Sequence, residues 1–316
     1  MRPPYLKSLS ARWGSLLLYV IILAEYTTLC LRLKVCKYWR AWVINMKDLS
    51  ITIVSYHNED DVKKAVASIQ KYTPSSISKQ IYIVDNIDIY EQHDVVENVE
   101  NDKDCTKTEN ELDELAQQYD DVTYIPTGKN LGFGGGHNYV LEMLDSKYHA
   151  IVNPDIILEE DAFSKLISFM EDESIGMCVP RLVNEEGNLL SVYRRDLTVW
   201  DMFIRMFLKG AFKKRQAYHT MQDMDYTKVF DVPFAQGSFL VIRTGLFKQL
   251  NGFDERFFLY MEDADLCKRL NQISRLCYCP YATVIHKWEK GSHKSGKLFK
   301  LHVQSMISYF CKWGMG

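Results

Sequence analysis

A surplus of charge is missing from this chain of 316 residues. Its 38 Lys and Arg stand against 41 Asp and Glu, for a net charge of −3, so nothing in the totals points to nucleic acid. Paired cysteines are missing too. Eight are scattered without a CxxC spacing. Cys277 and Cys279 share one face of a strand-like stretch and are read as core thiols of a reducing compartment, with metal binding the alternative. There is no internal repeat and no long linker. There is also no second hydrophobic run of membrane length, so the chain beyond the first run is expected to be soluble.

That first run is "WGSLLLYVIILAEYTTLCLRL", residues 13–33, and it is marginal. A membrane helix takes about 20 apolar residues, and an acid near its middle costs roughly 2.5 kcal/mol or more. Glu25 and Arg32 both interrupt it. Basic residues flank both ends (Arg2, Lys7 and Arg12; Lys34, Lys37 and Arg40), so charge bias gives no orientation. Three readings stay open: a membrane or interfacial helix, a signal-like segment, or sequence upstream of a true start at Met46.

From Leu49 a regular alternation begins. "LSITIVSYHN" is a β-rich apolar run. "DDVKKAVASIQKY" repeats Val62, Ala65, Val66 and Ile69 at helical spacing, with Asp60 or Asp61 as its cap. "KQIYIVDN" is a second strand, and β-α-β predicts a parallel sheet. Residues 88–121 are acidic and read as a solvated loop feeding a short helix. "DVTYIPTGKN" and "YHAIVNPD" are further strands, separated by the glycine-rich "LGFGGGHNYVLEML". "DAFSKLISFMED" is a helix capped by Asp161, and "IGMCVPRLVN" returns to the sheet. Beyond residue 187 the order becomes irregular. "VWDMFIRMFLKGAFKKR" fits an amphipathic helix touching an acceptor or a membrane surface, and fits a packing helix as well. "RLCYCPYATVIH" is a late strand, and the tail over 298–313 is helical.

Every early strand ends on polar residues: Ser55-Tyr56-His57-Asn58, Asp85-Asn86, Gly128-Lys129-Asn130 and Asn153-Pro154-Asp155. Ligands of parallel α/β sheets collect at the carboxyl ends of strands, so four such ends on one rim predict a site. The glycine segment is either a tight turn or a place where backbone N–H groups meet a phosphate. As a dinucleotide loop it fails, because it follows the third strand and position 137 is His. Asp155 is a hard oxygen donor suited to Mg²⁺ or Mn²⁺, or else an Asx turn. Glu262, Asp263 and Asp265 crowd three acids into four positions; they serve chemistry, or the helix dipole and an ion pair to Lys268 or Arg269. His286 ends its strand as a contact for the site or as a hydrogen-bonded rim histidine.

Taken in order, "ITIVSYHN", "IYIVDN", "NLGFGGGHN", "NPD", "AQGSFLVIR", "NGFDERFFLYMEDADLCKR" and "VIHKWEKGSH" resemble glycosyltransferase family 2, and most closely its bacterial rhamnosyltransferase-like branch. The likeness spans about residues 49–295. It implies an α/β GT-A fold, with a Rossmann-like mixed sheet flanked by helices and an acceptor-binding C-terminal half. It also implies inversion at the anomeric carbon and a nucleotide-diphosphate sugar donor, with rhamnose from dTDP-rhamnose the first choice. Other hexosyl or galactofuranosyl donors stay open.

Residue by residue, the resemblance assigns Asp263 as general base with Glu262 beside it. Donor contacts fall to Tyr56, Asn58, Asp85, Asn130, Gly132, Asn138 and Asn153. Asp155 and His286 fall to a divalent cation, Mg²⁺ or Mn²⁺. Gln236, Gly237 and Asp265 fall to a glycan or lipid-linked acceptor. Two departures stand out: Asn153 replaces the first acid of D-x-D, and Ile87 with the acidic insert replaces the usual turn after Asp85. The expected divisions are an N-terminal extension 1–46, a nucleotide-sugar half 47–180, an acceptor and catalytic half 181–297, and a C-terminal helix 298–316. The expected setting is cytoplasmic, at the inner face of the cell membrane, in surface polysaccharide synthesis. A catalytically silent assembly subunit and a dinucleotide-dependent oxidoreductase are the competing readings.

Overall fold

The computed structural model describes residues 46–87, 111–208, 211–287 and 296–315. The hydrophobic run 13–33, most of the acidic insert and the basic stretch 288–295 lie outside the described residues. Lys47–Gly316 forms one compact unit.

The sheet begins with β1 (Lys47–Ser55), β2 (Lys79–Asp85), β3 (Val122–Pro126) and β4 (Ser146–Val152). β1, β2 and β4 are buried along most of their length, as strands covered on both faces must be. β2 and β4 flank β1, both parallel to it, and β3 lies parallel outside β2. Strand order therefore reverses at β1. A crevice opens there at the carboxyl ends, which is where open α/β sheets take ligands.

Beyond β4 the sheet turns mixed. β10 (Phe239–Arg243) runs antiparallel between β4 and β6 (Ile175–Val183), and β11 (Arg275–His286) returns parallel to β6. The short β5 (Ile156–Ile157) and β8 (Phe230–Asp231) pair with β11. A separate two-stranded sheet joins β7 (Tyr193–Arg194) to β9 (Phe234–Ala235). Cys277 and Cys279 are buried thiols of β11, free of disulfides.

Helix α1 (Glu59–Tyr72) turns Val62, Ala65, Val66 and Ile69 inward at the expected spacing. Its cap is Asn58 rather than Asp60 or Asp61, which with Glu59 fill the first turn and meet the positive end of the dipole. Then come α2 (Glu111–Gln117), α3 (Gly132–Asn138) and α4 (Ala162–Phe169). Asp161 caps α4, its Oδ1 accepting the Ser164 N–H at 3.0 Å. The irregular region holds α5 (Val199–Phe207), capped by Thr198, and α6 (Lys213–His219). The chain closes with α7 (Thr244–Gln249), α8 (Glu262–Leu270) and α9 (Gly296–Trp313).

Candidate active site

The crevice at the strand ends opens into a cavity of about 690 Å³. Tyr56 and Asn58, Asn86, Asn130 and Gly132, and Asn153, Pro154 and Asp155 line it, one group after each of β1 to β4. The loop after β1 is held by Asn58, whose Oδ1 accepts the Ser55 hydroxyl at 3.1 Å and the Tyr56 N–H at 3.0 Å. Asn86 donates to the Gly132 carbonyl at 2.8 Å, tying the second strand end to the glycine segment.

Two amides of the glycine segment are already engaged. The Gly132 N–H is taken by Asn130 Oδ1 at 2.9 Å and the Phe133 N–H by the Phe258 carbonyl at 3.1 Å. Neither amide is left for a phosphate. The backbone is instead packed too closely for side chains. A Cβ on Gly132, whose φ is +73°, would lie 2.0 Å from the Phe258 oxygen, and one on Gly136 would lie 2.8 Å from Val54.

The stretch after β4 is fastened at both ends. Asn153 N–H donates to the Ser238 carbonyl at 2.9 Å, and Lys287 N–H donates to the Asp155 carbonyl at 3.0 Å. Asp155 Oδ2 lies 3.1 Å from Nε2 of His286, which is buried at the end of β11. The Asn153 side-chain oxygen is buried without a hydrogen-bond partner. An unsatisfied oxygen beside a half-exposed carboxylate is a donor set that fits a hard divalent cation completed by diphosphate oxygens. Among the described residues no three His, Cys, Asp or Glu side chains gather to hold a metal by themselves.

A second cavity, of about 290 Å³, adjoins the first and shares Phe133, Asn153, Leu259 and Leu298 with it. Glu262 and Asp263 form one wall at the start of α8. Tyr260 and Met261 before them take left-handed backbone, φ 68° and 71°, a strained approach of the kind found at functional sites. Asp263 Oδ2 accepts the Gly237 N–H at 3.0 Å and Oδ1 accepts the Ala264 N–H at 2.8 Å. Burial pushes the Asp263 carboxyl above its ordinary value despite those two donors. Burial, and then the neighbouring Asp263, push Glu262 well above its own. Gln236 and Gly237 line the same cavity.

Three expected residues stand elsewhere. Asp265 is not brought to either cavity: its oxygens face Arg269 at 2.7 Å, Lys312 at 2.6 Å and the Trp313 indole N–H at 2.8 Å. Asn138 bridges to Phe253, accepting its N–H and donating to its carbonyl, both at 2.8 Å. Asp85 is 2 % exposed and accepts the Tyr124 hydroxyl at 2.8 Å, one residue short of the rim that Asn86 reaches.

Polar wall residues outside the expected set include Asn86, read only as part of a strand end, and His137, Arg194 and Arg205. His137 is fully buried, with neither ring nitrogen hydrogen-bonded, and burial holds it neutral, well below the usual histidine range. Only Asn86 had a signal, its place beside Asp85 at a strand end.

Residues 47–306 match the family model described as glycosyltransferase-like family 2. The chain is 28% identical over 272 residues to the rhamnosyltransferase WbbL of Escherichia coli (strain K12), covering 83% of this chain and 92% of that protein. It is likewise 28% identical, over 196 residues, to an N-acetylglucosaminyl-diphospho-decaprenol L-rhamnosyltransferase of Mycobacterium tuberculosis (strain CDC 1551 / Oshkosh), covering 57% of this chain and 62% of that one. Among solved structures, GalNAc-T7 with UDP, GalNAc and Mn²⁺ aligns with a TM-score of 0.57 at 16% identity, over 83% of this chain and 48% of that one. That likeness is one of fold, the GT-A fold.

Proposed function

The chain belongs to glycosyltransferase-like family 2, and from that premise we propose that it moves a deoxyhexose, rhamnose first, from a nucleoside-diphosphate donor to a lipid-linked glycan acceptor with inversion. The observation that carries this reading is the placing of Asp263. Its carboxylate is oriented by two backbone N–H groups in a small cavity that opens onto the strand-end rim.

The donor lies in the larger cavity, its nucleotide toward Tyr56, Asn58 and the Asp85–Asn86 strand end. Its diphosphate lies toward Asn153 and Asp155. Those two residues would hold a divalent cation, which would supply charge neutralisation for the departing diphosphate. His286 braces Asp155 from behind. Asp263 takes the proton of the acceptor hydroxyl as the hydroxyl oxygen bonds to the anomeric carbon. The bond from that carbon to the diphosphate breaks, and the diphosphate leaves with the electron pair. One base on the side opposite the leaving group suffices for inversion, whereas retention by double displacement needs a carboxylate nucleophile. Burial and then Asp263 favour the protonated form of Glu262, which limits the negative charge beside Asp263.

The lipid part of the acceptor suits α5 and its surroundings. Trp200, Phe203 and Phe212 are exposed there beside Lys213, Lys214 and Arg215, and Trp200 stacks on Phe203 at 5.6 Å. Aromatic rings flanked by basic residues suit the interface of an anionic membrane. Among the described residues no helix is long and apolar enough to cross one. We place this surface at the cytoplasmic face.

The deciding experiment is a donor panel, including dTDP-rhamnose, UDP-galactofuranose and UDP-hexoses, read by released nucleoside diphosphate with and without Mn²⁺ or Mg²⁺. Turnover of dTDP-rhamnose above all others, dependent on the cation, is the expected result. Preference for another donor overturns the sugar, and no release from any donor favours a silent assembly subunit.

A further inference from the structure

The smaller cavity holds more positive charge than a neutral sugar hydroxyl needs. Arg194, on β7, is 6 % exposed and its Nε is buried without a hydrogen-bond partner. Its guanidinium lies 5.4 Å from the centre of the Phe234 ring. Arg205 enters the same cavity from α5. Neither forms an ion pair with any described residue, although Arg195 and Arg215 nearby are each paired, with Asp223 and Asp201. Among the described residues, the carboxylates lining this cavity are Glu262 and Asp263. Burial pushes Glu262 toward its protonated form, and Asp263 already receives two N–H groups.

Burying a guanidinium costs several kcal/mol and a second cation beside it adds repulsion; the Asp263 carboxylate attracts both arginines, one negative charge against two positive. The cost is visible in Arg194, whose pKa burial and then Arg205 bring down to about 9. An arrangement of this kind is relieved when an anion enters. The forked, planar donors of arginine match phosphate oxygens.

We propose that Arg194 and Arg205 form a site for a phosphate-type anion carried by the acceptor, which anchors the acceptor so that its hydroxyl meets Asp263. This rests on the transferase reading above. The donor's own diphosphate is the less suitable occupant. Its rim, with Asn58, Asn130 and Asp155, lines the neighbouring cavity and shares no arginine with this one. A cavity of about 290 Å³ sits at the lower end for small-ligand sites, enough for one sugar ring and its phosphate.

The test compares two acceptors sharing one sugar, a glycosyl diphosphate bearing a short alkyl chain and the uncharged alkyl glycoside. Wild type is expected to favour the first by at least tenfold in kcat/KM. Arg194→Gln and Arg205→Gln are each expected to shrink that ratio at least tenfold. Arg205 lies on a solvent-reached helix, so its variant keeps the test if the Arg194 variant does not fold. Inorganic pyrophosphate is expected to compete with the acceptor as well as with the donor's diphosphate. A ratio that survives both substitutions overturns the proposal, as does pyrophosphate competing only with the donor. Calorimetry of the glycosyl diphosphate on wild type and variants, without donor, separates the two readings. Arginine-dependent binding in a protein that transfers no sugar sinks the transferase reading and keeps the site; no binding sinks the site.

Discussion

Asp263 and Glu262 sit side by side where water reaches poorly, and the carboxyl of each is raised for that reason first. A base works only when deprotonated, so activity should rise with pH. The acid limb of kcat/KM should lie above the ordinary aspartate value of 3.8. Asp263→Asn removes the proton acceptor and keeps the shape. Transfer is expected to fall by about 10²–10⁴-fold while nucleotide affinity, read by calorimetry, is kept. Near-normal turnover would take Asp263 out of the role. Glu262 allows a stability test whose sign is set by linkage. Its folded pKa exceeds the unfolded 4.5, so folding favours the protonated form. That contribution is complete below the unfolded pKa and is lost as pH rises toward the folded one. Glu262→Gln cannot ionise, so its melting temperature should gain on wild type as pH rises above the unfolded 4.5.

At the scale of elements, the glycine helix α3 is a spacer between the end of β1 and the loop ahead of α8. Gly132→Ala places a methyl against the Phe258 carbonyl in left-handed backbone, and a loss of about 1–3 kcal/mol is expected by denaturant titration. Donor affinity should weaken with it, because Phe258 and Gly132 both line the larger cavity. Helix α5 has two duties on two faces, Arg205 toward the cavity and Trp200 with Phe203 toward solvent. The outer face is tested by sedimentation with vesicles of anionic lipid. Binding should fall in the Trp200→Ala, Phe203→Ala double variant while turnover of a soluble short-chain acceptor persists. Equal binding by both proteins excludes this surface.

Across the whole molecule, the last helix latches α8. Lys312 lies 2.8 Å from Asp254 and 2.6 Å from Asp265, which is completely buried, and the Trp313 indole completes the contact. Removing one partner of a buried pair strands the other charge. Lys312→Met should therefore cost about 3–5 kcal/mol, and a second change, Asp265→Asn, should recover part of it. A loss below about 1 kcal/mol would mean that Arg269 alone satisfies Asp265.

What could be read along the chain was whatever local order decides. Strands that end on Asn58, Asn86, Asn130 and Asp155 line one rim because parallel strands present their carboxyl ends together, so a rim of polar strand ends was legible before any coordinate. The acids of α8 were legible as a group but not as individuals. Two residues along a helix turn about 200°, so Asp263 faces the cavity while Asp265 faces α9. The purpose of the glycines was hidden, since a close approach depends on Phe258 and Val54, far away in sequence. Arg194 and Arg205 were hidden for the same reason. In "VYRRDL" and "MFIRMF" they look like ordinary surface charges. Only the pairing of β7 with β9 and the docking of α5 bring them together in the cavity that holds Asp263. Pattern along the chain sets which strands and helices form. Burial and charge balance at the site depend on which distant segments meet, and the tertiary structure alone decides that.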